Sequence, residues 1–472
     1  MKAEPTTASP PDRSLWRGIR ESIVGTQHDF TTGAIERAIL LLAIPMVLEM
    51  SMESLFGIVD VFFVARLGKD AVAAVGITES LLTMVFAIAM GLSMATTAMV
   101  ARRIGEKDPQ GAAVAAVQAI VIGLAVSAVV GVTGYFAAAE LLRLMGASEA
   151  LIAGNSAYTS VILGGSVTVV LLFLINAIFR GAGDAAIAMR ALWIANIVNI
   201  VLDPCLIFGL GPFPEMGVAG AGVATTIGRG TGVFYQLSVL FSGRGRVVIH
   251  RSDWRIELPV MIRLLRIAIT GMFQFLVATA SWLGLVRLIA LFGSSALAGY
   301  TIALRLIIFA LLPSWGMSNA AATLVGQNLG AGEPGRAELS VWKTGFYNMI
   351  FLGAVAVVFI VFAWPLIGLF TEDQAVRSVG VDCLRFVSCG YVFYAWGMVM
   401  VQAFNGAGDT RTPTLINLGC YWLWQIPLAC VLGLKTSLGT SGIFLAIAIS
   451  ESTLAVAGIL AFRAGKWKKQ KV

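Results

Sequence analysis

The chain has 472 residues, 58% of them hydrophobic and only 12% charged, about half the roughly 25% usual in soluble domains. Those proportions exclude a soluble globule, a disordered chain and a disulfide scaffold, and leave a polytopic membrane protein. The net charge of +7 reads as topogenic rather than nucleic-acid binding, because basic residues of membrane proteins gather in cytoplasmic loops.

Residues 1–35 are polar and carry Pro5, Pro10 and Pro11. No apolar run stands early enough for a cleavable signal, so this is predicted to be a cytoplasmic segment. Twelve apolar segments follow, at 38–66, 72–100, 112–138, 151–179, 187–210, 217–240, 260–292, 297–326, 341–369, 379–404, 412–434 and 440–463. Runs of this length must satisfy their own backbone in lipid, so each is predicted to be a transmembrane helix. The fold class is therefore all-α, with two bundles of six.

The first span holds Pro45, where a lost backbone donor permits a bend. It also holds Glu49, Glu53 and Asp60. At 100° per residue, Glu53 lies about 40° and Asp60 about 20° from Glu49, on one stripe. Span five places Asn196, Asn199 and Asp203 on one face, with Pro204 following. Both spans run from inside to outside. Asp60 falls roughly 12 Å and Asp203 roughly 6 Å past mid-span, so one pocket can hold both. Ionisable groups at such depth are expensive and need a reason. Two close carboxylates can hold a proton, and with the Asn199 oxygen they also suit Na⁺.

The loop at 243–258 is the most polar internal stretch and separates a first lobe, 36–242, from a second, 259–464. A basic tail, 465–472, follows. Arg102, Arg103, Arg180, Arg190, Arg244, Arg246, Arg251, Arg255, Arg336 and Arg411 mark one set of span ends. The positive-inside rule puts those ends and both termini in the cytoplasm. Glu49 and Glu53 either line the cavity or pair with Arg287, Arg305 or Arg385 of the second half. The five cysteines lie in apolar runs and read as small core residues.

The halves repeat. GLSMATTAMVARRIGEKDPQGA at 91–112 aligns with GMSNAAATLVGQNLGAGEPGRA at 316–337, and GAGD at 181–184 with GAGD at 406–409. Gly68 pairs with Gly293 and Gly217 with Gly442, each at an offset of 225. Six spans per copy give both the same orientation, so the lobes are related by an axis along the membrane normal. The same offset sends Asp60 to Leu285, Asn199 to Trp424 and Asp203 to Leu428. The scaffold is kept and the acids are dropped, which makes the first lobe the coupling half.

AIPM at 43–46, VDVFFVARLG at 59–68, AAVG at 73–76, FRGAGD at 179–184, VLDP at 201–204 and FNGAGD at 404–409 together resemble the multidrug and toxic compound extrusion (MATE) family. The resemblance runs from about residue 36 to 460. It implies cation-coupled efflux of amphiphilic compounds by alternating access. It maps the cation site of one branch onto Asp60, Asn199 and Asp203, with Thr225 on the sixth span and Tyr158 and Asn176 on the fourth. It implies that the first helix bends at Pro45 when the acid protonates. The other branch uses acids where this chain has Ala278 and Tyr394, which argues against second-lobe coupling.

The expected function is a secondary antiporter in the cell inner membrane. It would export amphiphilic, cationic small organic compounds in exchange for H⁺ or Na⁺, with no other cofactor, as a functional monomer in the lipid bilayer. Glu49, Glu53, Tyr158, Asn176, Asn196, Gln274 and Arg287 are expected to line its cavity. The alternative is a flippase for a lipid-linked or anionic substrate. No Ser–His pair or metal cluster occurs within the spans, and no Walker sequence exists, so neither an enzyme nor an ATP-driven pump is expected.

Overall fold

A computed structural model describes residues 15–25, 28–470 and 472. Lys2, Arg13, the three N-terminal prolines and Lys471 lie outside the described residues. A short helix, α1 (Leu15–Val24), packs on α2 (Ile35–Ala65), helped by an Arg37–Glu21 ion pair of 2.7 Å. The first lobe continues with α3 (Lys69–Gly105), α4 (Pro109–Leu144), α5 (Glu149–Gly164), α6 (Ser166–Ala182), α7 (Ala185–Phe208) and α8 (Val218–Ser242). The second contains α9 (Leu258–Ala290), α10 (Ser294–Gly330), α11 (Pro334–Val361), α12 (Ala363–Gly368), α13 (Gln374–Cys389), α14 (Tyr391–Ala407), α15 (Arg411–Asn417), α16 (Ile426–Leu434) and α17 (Thr440–Arg463).

All twelve predicted spans fall on helices. Among the described residues, ten stretches are each long and apolar enough to cross a bilayer, and α13 with α14 makes an eleventh, bent by 58°. The twelfth is α8, which has 25 residues but is rich in glycine and threonine. The fourth and tenth spans are each broken at a glycine, Gly165 and Gly390, again 225 apart. Of the cysteines, Cys383 and Cys420 are buried as expected, while Cys389 is exposed.

Local chemistry sets the helix ends. Asp108 accepts from the Gly111 amide at 2.8 Å, and Pro109 occupies the first turn, where no donor is needed. Ser148 caps α5 and Asp373, 225 further on, caps α13. Gly183 and Gly408 end α6 and α14 at φ +88° and +83°, the left-handed region that favours glycine.

The repeat departs from its constant offset in two places. A π-helical stretch, Leu418–Gln425, follows α15 and inserts one residue. Gly228 packs on the Ala195 carbonyl, and its counterpart Ser450 hydrogen-bonds the Cys420 carbonyl at 2.9 Å, so the offset is still 225 at Cys420. Gly220 packs on the Leu206 carbonyl and Gly442 on that of Leu432, an offset of 226 beyond the insertion. The last helix is shifted the other way: Gly217 and Gly439 share φ +55° and +57° at the starts of α8 and α17, an offset of 222. The sequence pairing of Gly217 with Gly442 is therefore corrected to Gly439. Asn199 corresponds to Gln425 and Asp203 to Ala429, not to Trp424 and Leu428.

Both described chain ends lie at one end of the bundle, the end rich in arginine. There the lobes meet closely. Gly105 faces the Gln327 carbonyl, Gly330 the Arg102 carbonyl, Gly91 the Ala268 carbonyl and Gly316 the Met46 carbonyl. Thr323 and Gln327 of α10 donate to the Arg180 and Gly181 carbonyls at 3.0 and 2.8 Å. Lys343 of α11 pairs with Glu36 of α2. All these contacts lie in the half of each helix nearer the basic end, so the protein is closed on that side.

A valine at Gly105 would drive its side chain into the Gln327 backbone. Overpacking of this kind costs about 1–3 kcal/mol, enough to shift the closed population by about 5- to 150-fold. Gly105→Val is expected to lengthen the distance between spin labels at Lys107 and Glu333, read by electron–electron resonance.

Candidate functional site

In the first lobe, α7 presents its polar face to α2 and α8. Asn199 donates to Asp203 Oδ1 and to Thr225 Oγ1, both at 3.2 Å. Asp203 is fully buried and Asn199 and Thr225 are buried. Asn199 Oδ1 and Asp203 Oδ2 are both enclosed without a donor. Buried polar atoms are nearly always partnered, so two orphaned acceptors in one pocket form a natural seat for a proton or a small hard cation. Asp60 of α2 is within electrostatic reach of Asp203. The buried Tyr158 of α5 packs against Gly222 and feels both acids.

Two residues not singled out from sequence belong to this cluster. Arg229 of α8 and Glu79 of α3 both act on Asp60. Arg229 is buried, and its guanidinium lies 5.7 and 5.8 Å from the Phe56 and Phe86 rings. A lone arginine inside a predicted span was the available signal.

Asn196 is buried on the same α7 face but donates at 3.4 Å to the Met52 carbonyl. It ties α7 to α2. Glu49 lies one turn and more toward the basic end, in a separate network. Its Oε1 accepts from Asn176 at 2.9 Å and from Arg180 at 3.3 Å, while Oε2 is buried and unpartnered. Asn176 in turn accepts from Gln236. The partner of Glu49 is thus Arg180 of its own lobe, not Arg287, Arg305 or Arg385. Those three are exposed, and Arg385 donates to the Ile360 carbonyl at 3.2 Å. Arg287 is exposed and lines neither central cavity. Asn176 serves the Glu49 network rather than the Asp203 pocket.

Between the lobes is a cavity of about 240 Å³, lined by Glu53, Phe86 and Arg180 of the first lobe and Trp315, Asn319 and Gln402 of the second. It shares Phe275, Trp315 and Gln402 with a second cavity of about 480 Å³, lined also by Gln274, Trp282, Tyr394 and Glu451. Gln274 is buried with Oε1 unpartnered. Glu451 is buried, with the Tyr394 and Tyr421 phenols beside its carboxyl. Under the corrected 222 offset, Glu451 is the counterpart of Arg229. The second lobe therefore does retain a buried acid within a span. A constant offset of 225 pairs Glu451 with Thr226 and so hides it in the sequence.

Pro45 lies inside α2, which runs as one helix from Ile35 to Ala65. Among the described residues no group of three or more His, Cys, Asp or Glu is placed to hold a metal ion. The first-lobe pocket instead offers the mixed carboxylate, amide and hydroxyl oxygens suited to H⁺ or Na⁺.

The MatE family model matches residues 45–205 and 267–431. The chain is 27% identical to a Thermotoga maritima protein named "Probable multidrug resistance protein NorM", over 93% of this chain and 94% of that one. It is 26% identical to a Shewanella oneidensis "FAD transporter", over 91% and 95% of the two chains. A solved structure described as the outward-facing conformation of a multidrug resistance MATE family transporter superposes with a TM-score of 0.88. That match has 27% identity and covers 94% of this chain and 99% of the other.

Proposed function

The chain belongs to the MatE family of multi-pass membrane transporters, and we propose that it exports amphiphilic, cationic small organic compounds in exchange for H⁺ or Na⁺. The observation that carries this reading is the pair of orphaned buried oxygens, Asn199 Oδ1 and Asp203 Oδ2, which the matching positions of the second lobe do not repeat. Their second-lobe counterparts are Gln425, which accepts from Ser281 at 3.0 Å, and Ala429. The counterpart of Asp60 is the buried Leu285.

The mechanism follows from competition. A cation in the Asp203 pocket and a substrate in the cavity favour different arrangements of the lobes. Each ligand then shifts the equilibrium by its differential affinity for the two states. Arginine-rich span ends face the cytoplasm under the positive-inside rule, so the closed basic end corresponds to an outward-facing state. Pro45 supplies the weakened helical bond at which α2 bends.

The substrate class rests on the second-lobe cavity. Tyr394 and Tyr421 stand beside the Glu451 carboxyl, and Trp282 lines the same cavity. Aromatic faces with a nearby acid attract an organic cation. Glu451→Gln is expected to weaken binding of a cationic dye about tenfold or less, consistent with a cation–π setting that keeps its aromatic groups, while a neutral amphiphile binds as before. Fluorescence titration of both ligands reads the difference.

An anionic substrate is the second reading, favoured by Arg180 on the central cavity and by the Shewanella relative. Arg180 is already engaged by Glu49, which weakens it as an anion receptor. Liposomes containing the purified protein and a cationic dye decide the main reading. Dye movement accelerated by an inward pH or Na⁺ gradient supports the antiporter. Movement indifferent to both gradients overturns it.

A further inference from the structure

At the closed basic end, a surface cleft of about 610 Å³ lies along the seam of the lobes. Arg102 and Arg103 of α3 line one wall, and Arg263 and Arg266 of α9 with Arg411 of α15 line the other. Arg103 is neutralised by Glu106 at 2.9 Å and Asp108 at 3.7 Å. Among the described residues, Arg102, Arg263, Arg266 and Arg411 have no carboxylate within ion-pair distance. Arg102 donates at 3.1 Å to the Gln470 carbonyl, and its Nε is buried without an acceptor. The one acid in the second wall, Asp409, is occupied by the Thr412 amide and hydroxyl at 3.1 and 2.6 Å. Arg263, Arg266 and Arg411, each without an ion partner, thus line the cleft together with Arg102, whose charge Glu106 offsets in part.

We propose that this cleft binds the phosphate of an anionic phospholipid headgroup and thereby holds the two lobes together at the basic end. Planar guanidinium groups match phosphate oxygens in a bidentate fashion. A free phosphate would need only the arginines. A lipid also needs a wall for its chains, and the structure supplies one. Arg263, Arg266 and Thr270 recur at i, i+3 and i+7 along α9, and Ile262, Leu265 and Ile269 recur beside them at the same spacing, all three exposed. Leu415 of α15 is exposed at 68% next to Arg411. A basic stripe therefore runs alongside an apolar one, at the depth where α9 and α15 begin. Because the arginines come from both lobes, a bound headgroup bridges them only while this end is closed, and so favours the closed arrangement.

Native mass spectrometry of the purified full chain with phosphatidylglycerol or phosphatidylcholine tests this. Phosphatidylglycerol is expected to be retained in preference. Each arginine near a headgroup contributes about a fivefold factor to anionic-lipid binding, so Arg263→Gln with Arg266→Gln is expected to reduce retention about 25-fold. Arg411→Gln provides an independent variant on another helix, expected to lose about fivefold. Arg377→Gln, at the opposite end of the same lobe, is expected to change nothing. Equal retention of the two lipids, or undiminished phosphatidylglycerol in both cleft variants, overturns the proposal. Displacement of phosphatidylglycerol by inorganic phosphate alone assigns the cleft to a free anion and overturns the lipid. The readout is lipid retention, so its outcome is separate from whether the protein exports cations.

Discussion

Asp203→Asn is expected to leave a folded protein that binds substrate but no longer responds to a cation gradient. The substitution keeps the shape and the Asn199 hydrogen-bond geometry while removing the only charge that is fully buried in the pocket. Coupling between two ligands of a transporter is worth about 1–3 kcal/mol, a factor of about 5 to 150. The gradient-driven component of dye efflux in liposomes should fall by that factor. Asp60→Asn is expected to act in the same direction, because Asp60 and Asp203 share the pocket electrostatically. Leu285→Asn, at the second-lobe counterpart, should leave the gradient response in place.

Arg180→Met is expected to be the most destabilising single change among the buried polar residues. It leaves the Glu49 carboxylate fully enclosed with Asn176 as its one remaining hydrogen-bond donor. Breaking a buried pair from one side typically costs about 3–5 kcal/mol. The thermal midpoint in detergent should drop accordingly. Glu49→Gln combined with Arg180→Met removes both charges and is expected to recover most of the loss, giving a large coupling in the double-mutant cycle. If the double variant is as unstable as the sum of its parts, Glu49 and Arg180 do not act as a pair.

Much of this organisation is legible in the sequence, for physical reasons that differ by feature. The spans are legible because lipid forbids unpaired backbone, so apolar run length reports helix position almost directly. The convergence of Asn199 and Asp203 is legible because helical spacing fixes which side chains share a face. The π-helical stretch at Leu418–Gln425 is not, because one inserted residue within an apolar run leaves no compositional mark. That hidden residue, with the shifted last helix, misaligned Asn199, Asp203 and Gly217 with their counterparts and concealed the pairing of Arg229 with Glu451. The breaks at Gly165 and Gly390 are hidden likewise, since glycine is common throughout these helices.

Arg180 shows a different limit. By position it counts among the arginines that mark span ends, and the charge rule for loops does not say which of them folds inward. Only the approach of α6 to α2 turns it toward Glu49. Arg287 fails in the opposite sense. It lies within a span, yet it is exposed and lines neither central cavity, because the buried Leu285 and Ile289 take the packed face of α9.

The central claim is that a cation seated on Asp203 and Asn199 competes with substrate. It is tested most directly by titrating a cationic dye into purified protein across a series of pH values and Na⁺ concentrations. The account predicts that dye affinity weakens as H⁺ or Na⁺ rises in the wild-type protein, and that Asp203→Asn abolishes this dependence while still binding dye. Dye affinity independent of both cations in the wild-type protein, or an undiminished dependence in Asp203→Asn, would contradict it.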